Sequence, residues 1–382
     1  MRGNRRNVRW NSTADYLLLY PYIVADSVGG DLTTEEYAFG GGYARRIGRF
    51  DIALRGDYRA AQEYRQVDPR PHNVVSDFTV RLGAGMELGR SVLILDLRGR
   101  LYKQNSRISF FNETNTVREL FMAGLGSILQ RYSGKSGSTL TAYTGRGYAV
   151  AAQLMPHRPE GWYARAEYSR FTTDRNYRPN NSIPVSTLRT QRGEAHVAYR
   201  AGRWSLGAYA ARSQRLGIEM VADRTGQGTP VDRQAMYENR IWQAGAEATV
   251  EWRRGNRRYA LRPGVEWQPA REMTLSRLGG SLRGHAEWLF ARWRFKASLG
   301  IGCYGAPSGT LSLPGLADYL AEYLTGTAER LNSRTLAPEA GFRAERRLRG
   351  RTACFAEAGW SPRLYEGGLA EHNLTAACGF LF

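Results

Sequence analysis

The sequence predicts an all-β protein, a transmembrane antiparallel β-barrel of about sixteen strands (roughly 14 to 18), with short periplasmic turns and long extracellular loops. Three observations carry that expectation. Apolar and polar residues alternate with period two through segment after segment, aromatic residues cap the ends of those segments, and the chain closes on an amphipathic strand ending in phenylalanine. Successive strand residues point to opposite faces, and a barrel in lipid shows apolar residues outward while its interior stays polar.

The start, MRGNRRNVRWNSTADY, has a basic run but neither an apolar core nor a small-residue cleavage site, so it does not read as a signal peptide. An exported barrel needs one, and the expectation is a mature form or a sequence lacking its true N-terminus. The longest apolar stretch, Leu17 to Ala25, contains Pro21 and falls short of the roughly 18 residues that a spanning helix requires.

Alternation begins with Phe50, Ile52, Leu54 and Tyr58 against Asp51, Arg55 and Asp57. It continues with Phe78, Val80, Leu82, Ala84 and Met86 against Asp77, Thr79, Arg81 and Glu87. Mid-chain, Trp162, Ala164, Ala166 and Tyr168 oppose Tyr163, Arg165, Glu167 and Ser169, and Trp204 opens a further aromatic-capped segment. The clearest strand has Trp242, Ala244, Ala246, Ala248, Val250 and Trp252 on one face and Gln243, Gly245, Glu247, Thr249 and Glu251 on the other. Ten steps separate its two tryptophans, about 33 Å of strand, which at a tilt near 40° projects to about 25 Å, the height of a barrel's apolar band.

After the turn RRGN the design repeats in reverse, with Tyr259, Leu261, Pro263, Val265 and Trp267 against Arg258, Ala260, Arg262, Gly264 and Glu266. Leu282, Gly284, Ala286 and Trp288 then oppose Arg283, His285 and Glu287, and Trp293, Phe295, Ala297, Leu299 and Ile301 oppose Arg294, Lys296, Ser298 and Gly300. The last strand sets Leu374, Ala376, Cys378, Phe380 and Phe382 on one face. It resembles the terminal signature that the outer-membrane assembly machinery recognises in bacterial barrels. The apolar faces are mostly alanine, glycine and leucine with aromatic ends, which suits lipid better than a packed sandwich core.

Short turns are expected at Ile47-Gly48, Leu88-Gly89, Ala201-Gly202, Gly255-Asn256, Ala291-Arg292 and Arg349-Gly350. Long connections are expected from Glu63 to Asn73, Asn105 to Val117, Thr173 to Pro184, Leu216 to Gln234 and Gly305 to Asn332. The strand count between Asn105 and Gly161 comes out odd where an even total is expected. No repeat or low-complexity linker divides the chain, so residues 1–382 read as a single domain.

A hydrophobic fraction of 42% and a mean hydropathy of -0.49 exclude a helical membrane protein. The formal charge of +19 is almost wholly arginine, since lysine occurs only at Lys103, Lys135 and Lys296. Its arginines fall at alternate strand positions opposite glutamates, which argues against a nucleic-acid-binding patch. The lipid and lipopolysaccharide of an outer membrane are the implied surroundings. Cys303, Cys354 and Cys378 share the outward parity and show no metal spacing, so no metal or other cofactor is expected.

Two groups of candidate functional residues emerge. Tyr64, Arg65, Asp68, Arg70 and Asn73, held by two prolines in YRQVDPRPHN, could fold inward as a constriction or ligand surface, or form a rigid loop whose Asp68 makes its own turn and pairs with an arginine. Arg165, Glu167, Glu194, Glu247, Glu251, Arg262, Glu266, Arg283 and Glu287 share the inward parity. They would act as an electrostatic filter or as cross-strand pairs. His196 and His285 each lie two residues from an inward glutamate, Glu194 and Glu287, yet no nucleophile elbow, phosphate loop or zinc motif accompanies them, so no enzyme is expected.

Two stretches resemble an uncharacterised outer-membrane β-barrel family of Bacteroidota: Tyr20-Pro21-Tyr22, Asp26, Gly29-Gly30, Glu36-Tyr37, Phe39 and Gly41 to Tyr43, then Tyr64-Arg65, Asp68 to Pro71 and Asn73. The resemblance implies a barrel fold along most of the chain and brings no activity or catalytic residues. Members of that family look longer at the N-terminus. The functions in view are therefore an outer-membrane pore or envelope-transport component of unknown solute, a non-conducting surface scaffold or binding barrel, and, well behind, an outer-membrane hydrolase. Envelope protein partners are not named by any motif.

Overall fold

β-branched and aromatic residues at alternate positions, punctuated by turn glycines, leave this chain few options but extended strands. The computed structural model describes residues 2–111, 119–124, 127–129, 133, 139–177, 182–222, 230–269, 276–305, 333–348, 352–368 and 370–381. In chain order the elements are β1 (Arg2–Val8), α1 (Tyr16–Leu19), β2 (Val24–Ala25), β3 (Gly30–Ile47), β4 (Phe50–Tyr64), β5 (Arg70–Leu88) and β6 (Ser91–Ser109). There follow β7 (Leu120–Gly124), β8 (Ser127–Ile128), β9 (Thr139–Pro156), β10 (Gly161–Tyr177), β11 (Ile183–Ala201), β12 (Trp204–Ala222), β13 (Pro230–Arg254) and β14 (Arg257–Pro269). The chain ends with β15 (Ser276–Leu289), β16 (Trp293–Gly305), β17 (Thr335–Arg347), β18 (Ala353–Trp360), β19 (Arg363–Tyr365), β20 (Ala370–Glu371) and β21 (Leu374–Leu381). Among the described residues no helix is long and apolar enough to cross a membrane.

Eighteen of these segments belong to one antiparallel sheet. β18 and β19 both pair with β17, β20 pairs with β19 and β21 with β18, so each couple is one interrupted strand and the described strand positions number sixteen. Pairing follows sequence order from β3 to β6 and from β13 to β18, and β1 lies antiparallel to the start of β3. This is the antiparallel fold of outer-membrane β-barrels.

The register tests the facing assignment directly. Trp252 lies opposite Tyr259, Val250 opposite Leu261 and Ala246 opposite Val265, whereas Glu251 meets Ala260 and Glu247 meets Gly264. On the next ladders Leu261 meets Gly284, and Phe295 meets Ala344. Cys354 meets Phe380, and Ala356 meets Cys378. Outward residues thus pair with outward ones. Their exposure in the isolated chain, 51% at Trp242, 57% at Val265 and 65% at Phe380, is what a lipid-facing surface shows without its lipid.

Two compact units make up the chain. The first comprises residues 1–153, 166–193 and 213–240, and the second residues 154–165, 194–212 and 241–382. The first unit has a true interior. Asn11, Ser12, Thr13, Leu19, Tyr22, Ile23, Val24, Ala25 and Asp26 are buried there, packed with Ile108, Phe121, Tyr177, Val185, Leu188 and Tyr237. The N-terminal run is therefore folded against the inward faces of β6, β10, β11 and β13, where β2 pairs with β7 and β7 with β8 in a separate small sheet.

That small sheet explains the odd strand count expected between Asn105 and Gly161: β7 and β8 extend the internal layer, and β9 alone continues the main sheet. Several long connections are shorter than expected. β4 runs to Tyr64 and β5 starts at Arg70, β6 reaches Ser109, and only residues 178–182 separate β10 from β11. Residues 223–229 separate β12 from β13, while most of the stretch from Gly305 to Asn332 lies outside the described residues. The reason is physical. Beyond the apolar band the outward face turns polar, so the alternation fades although the hydrogen-bond ladder continues. β5 and β6, at 19 residues each, are about 60 Å long, which at a tilt near 40° projects to about 46 Å, nearly twice the height of that band.

Candidate functional site: an N-terminal segment latched inside the first unit

The two stretches that carry the family resemblance meet in space. Arg65, one residue past β4, is buried, as is Asp26 at the end of the N-terminal run, and Arg65 Nη2 donates to Asp26 Oδ2 at 2.5 Å. Arg65 Nε donates to the Pro69 carbonyl at 2.9 Å, and its backbone N–H to the Pro71 carbonyl at 3.1 Å. Asp26 also accepts from Ser12 Oγ and, at 2.7 Å, from the Gly29 N–H. The buried carboxylate has three donors, one of them a guanidinium whose Nη1 is left without a hydrogen-bond partner among the described residues, and removing either member of the pair would strand a charge in low dielectric. Gly30 has φ of +143°, and a Cβ there would stand 2.7 Å from Arg65 Cδ, so a side chain would push the guanidinium out of register.

Asn73 on β5, fully buried, donates from Nδ2 to the Ser12 carbonyl at 3.0 Å. Asp68 and Arg70 do something else. Arg70 Nε donates to Asp68 Oδ1 at 2.8 Å, Asp68 Oδ2 accepts the Phe111 N–H at 2.8 Å, and the Arg70 guanidinium stands 3.9 Å above the Phe111 ring. Tyr64 ends β4 opposite His72. The structure thus brings Arg65 and Asn73 onto the N-terminal segment, and Asp68 and Arg70 onto each other.

More residues hold the segment than the sequence singled out. Arg175 on β10, fully buried, donates from Nη1 to the Ile23 carbonyl at 3.2 Å and the Met122 carbonyl at 3.3 Å, with the rings of Tyr22 and Phe121 within 5.5 Å of its guanidinium. On α1's flank, Asp15 pairs with Arg59 of β4 and accepts from Tyr102 Oη of β6 at 3.0 Å. Arg215 of β12 donates to the Leu17 and Leu18 carbonyls at 2.6 and 2.8 Å. Tyr22 Oη stands 3.5 Å from Glu219, with Gly217 beneath it, where a Cβ would run into the hydroxyl. Burial, and then the charge of Glu219, push the Tyr22 hydroxyl well above the ordinary phenol range. Apart from Tyr22, which stands in the first resembling stretch, none of these was legible as a motif. The available signal was that Arg59 and Tyr102 sit on inward parity, which says nothing about what they touch.

The inward charges expected from strand parity divide between the units. In the first, Glu167 pairs with Arg98. In the second, Glu251 accepts from Arg200 at 2.9 Å and Arg258 at 2.7 Å, Glu287 pairs with Arg294, Arg283 reaches Glu339 at 2.7 Å, and Glu247 stands 3.8 Å from His196 Nε2. Arg165 on β10 and Glu194 on β11 also belong to the second unit, and neither is without a partner. Arg262 faces Arg283 across the β14–β15 ladder, and Glu266 faces Gly245 across β13–β14. The ion pairs are half-exposed and cross-strand: Glu251–Arg258 and Glu287–Arg294 join neighbouring strands, whereas Arg98–Glu167, Arg200–Glu251 and Arg283–Glu339 each reach across an intervening one.

Of the aromatic rim, Trp162, Trp204, Trp242, Trp252 and Trp293 are exposed, as is Tyr168. Tyr259 stacks on Trp252 with centroids 5.8 Å apart, Trp288 is half-buried beside them in the ladder, and Trp267 faces Ala244. Phe382 lies outside the described residues.

Comparison with solved structures finds other barrels. The chain is similar to the copper transporter OprC at 8% identity, with a TM-score of 0.50 over 89% of this chain and 55% of that one. It is similar to a bacterial polysaccharide outer membrane secretin at 12% identity, with a TM-score of 0.45 over 90% and 96% of the two chains. It is similar also to CdiB from Acinetobacter baumannii at 10% identity, with a TM-score of 0.41 over 94% and 65%. At such identities the OprC likeness speaks to fold alone. No curated protein sequence matches. A family model described as "Family of unknown function (DUF6850)" matches residues 1–382, and the chain belongs to that family.

Proposed function

We propose that this protein is an outer-membrane β-barrel whose resting state does not conduct, with its N-terminal segment acting as an internal plug that ligand or partner engagement releases. One observation carries the reading: residues 11–13 and 22–26 are each at most 6% exposed inside the first unit, held by Arg65, Asn73 and Arg175 and packed against side chains of β6, β10, β11 and β13. A segment buried to that degree and tied to the strands around it occupies the interior of the first unit. This takes the binding-barrel function as the resting state and the pore as the state that follows when the segment leaves. The ion pair of Asp26 and Arg65 is buried on both sides, so a ligand or partner that competes for either charge would unsettle the segment at that point.

The reading extends to location: the outer membrane of a Gram-negative bacterium, among the Bacteroidota whose barrels its motifs resemble. Short turns face the periplasm and the latched segment lies toward the outer side. Its lipid-facing stripe meets phospholipid and, at the outer rim, lipopolysaccharide. The strand Leu374–Leu381 is the handle for the assembly machinery. No catalytic step belongs to this function. The test is current through planar bilayers. The wild-type chain should give no steady conductance, whereas Asp26→Asn, which strands the Arg65 guanidinium, should give discrete open steps. Steady open-channel current from the wild-type chain would sink the proposal.

A further inference from the structure

At the short-turn end of the second unit a cavity of about 420 Å³ opens between the turn after β11 and the turn after β13. Six guanidinium groups line it, from Arg200, Arg203, Arg253, Arg257, Arg258 and Arg294, against the two carboxylates of Glu251 and Glu287. Those carboxylates are committed. Glu251 accepts from Arg200 and Arg258, and Glu287 from Arg294. Among the described residues no carboxylate lies within ion-pair reach of Arg203, Arg253 or Arg257, and Arg253 Nε donates instead to the Gly255 carbonyl at 3.2 Å.

Three uncompensated cations facing one cavity repel one another, and a rigid sheet holds them there through strand pairing rather than through any attraction among them. Arg257 ends its ladder opposite Arg254, and Arg258 opposite Arg253, so two pairs of like charges face each other across the β13–β14 hairpin. Like charges at directly opposed positions destabilise a ladder. An arrangement of this kind has a stabilising counterpart, a ligand that brings several negative charges at once. Guanidinium forks match the planar or tetrahedral oxygens of carboxylates and phosphates, and the volume suits a small solute rather than a protein segment.

We infer that this cavity binds a small solute bearing two or more phosphate or carboxylate groups, at the short-turn end of the second unit. The inference stands whether or not the barrel conducts, because no residue of the cavity belongs to the unit that holds the N-terminal segment.

The experiment is calorimetric titration of the full chain in detergent micelles at about 0.15 M salt, where exposed charges more than about 8 Å apart are largely screened. Tripolyphosphate and citrate are the probes. The variant Arg203→Gln with Arg257→Gln removes two guanidinium groups that hold no carboxylate, and it should weaken binding at least about tenfold. The control, Arg49→Gln with Arg90→Gln, removes the same net charge from the turns after β3 and β5, and it should change affinity by less than about twofold. The heat-modifiable gel shift verifies that each variant is folded. Binding of both probes shows that charge alone is read, and binding of one narrows the class to phosphate or to carboxylate; each supports the site. Absence of binding by either probe to the wild-type chain overturns it, and so does an equal loss in the control variant, which would reduce the effect to attraction by the chain's overall charge.

Discussion

Replacing Asp26 by asparagine should open the N-terminal segment while leaving the main sheet intact. The pair it forms with Arg65 is buried on both sides, with side-chain exposures of 0% for Asp26 and 1% for Arg65, so the substitution leaves a guanidinium without its counter-charge in low dielectric. Breaking a buried pair by removing one partner costs about 3 to 5 kcal/mol. At about 1.4 kcal/mol per factor of ten, that raises the open population roughly a hundred- to several-thousand-fold. Two amides report the opening, Trp10 N–H bonded to the Asp26 carbonyl and Ser12 N–H bonded to the Val24 carbonyl, each at 2.9 Å.

Hydrogen exchange in micelles, read by mass spectrometry on peptides covering residues 8–26, should show protection falling by that factor. Peptides covering Ala246 to Gly264, whose ladder is far from the pair in sequence and belongs to the second unit, should not change. The compensated variant, Asp26→Leu with Arg65→Met, should regain most of the protection because it strands no charge. If Asp26→Asn alters exchange at residues 8–26 by less than about threefold, the pair is no latch, and its burial has no bearing on release.

Ala246→Arg sets a guanidinium on the outward face and should cost about 2 to 4 kcal/mol in vesicle refolding, whereas Glu247→Gln, beside a half-exposed partner 3.8 Å away, should cost under about 1 kcal/mol; the reverse order would overturn the facing assignment. Gly217→Leu drives a side chain into Tyr22 and should displace the segment, raising protease cleavage within residues 10–26, while Gly217→Ser should do so less. Arg70→Ala loses the contacts to Asp68 and Phe111 but touches nothing in the segment, so bilayer current should match the wild-type chain, and stability should fall by about 1 kcal/mol.

The strands were legible because lipid imposes a binary rule on one face. Trp242 to Trp252 could be assigned position by position, and the ladder opposite Tyr259 to Trp267 has the expected partners. Where the rule stops, so does the reading. The end of β4 and the start of β5 looked like a loop, since residues such as Glu63, His72 and Asn73 are polar and yet paired in the ladder. The N-terminal run was harder still. Its apolar residues, Leu19, Tyr22, Ile23 and Val24, have no period, because they pack by contact with several strands rather than by presenting one face. Arg65 and Asp26 each stood in a recognisable stretch, but 39 residues apart, and nothing in either stretch says that a buried charge awaits its opposite.

The latched segment also sets an order on assembly. It lies near the start of the chain, yet its contacts close loops of very different length: 39 residues to Arg65, 152 from Ile23 to Arg175 and 198 from Leu17 to Arg215. Closing the long loops costs chain entropy that only the finished strands can offset. Arg175, Arg215 and Tyr237 belong to β10, β12 and β13, so residues 10–26 have no complete cradle until more than half the chain has been laid into the sheet. These early residues are thus the last to find their place. Until then the strands that hold residues 10–26 are present only in part.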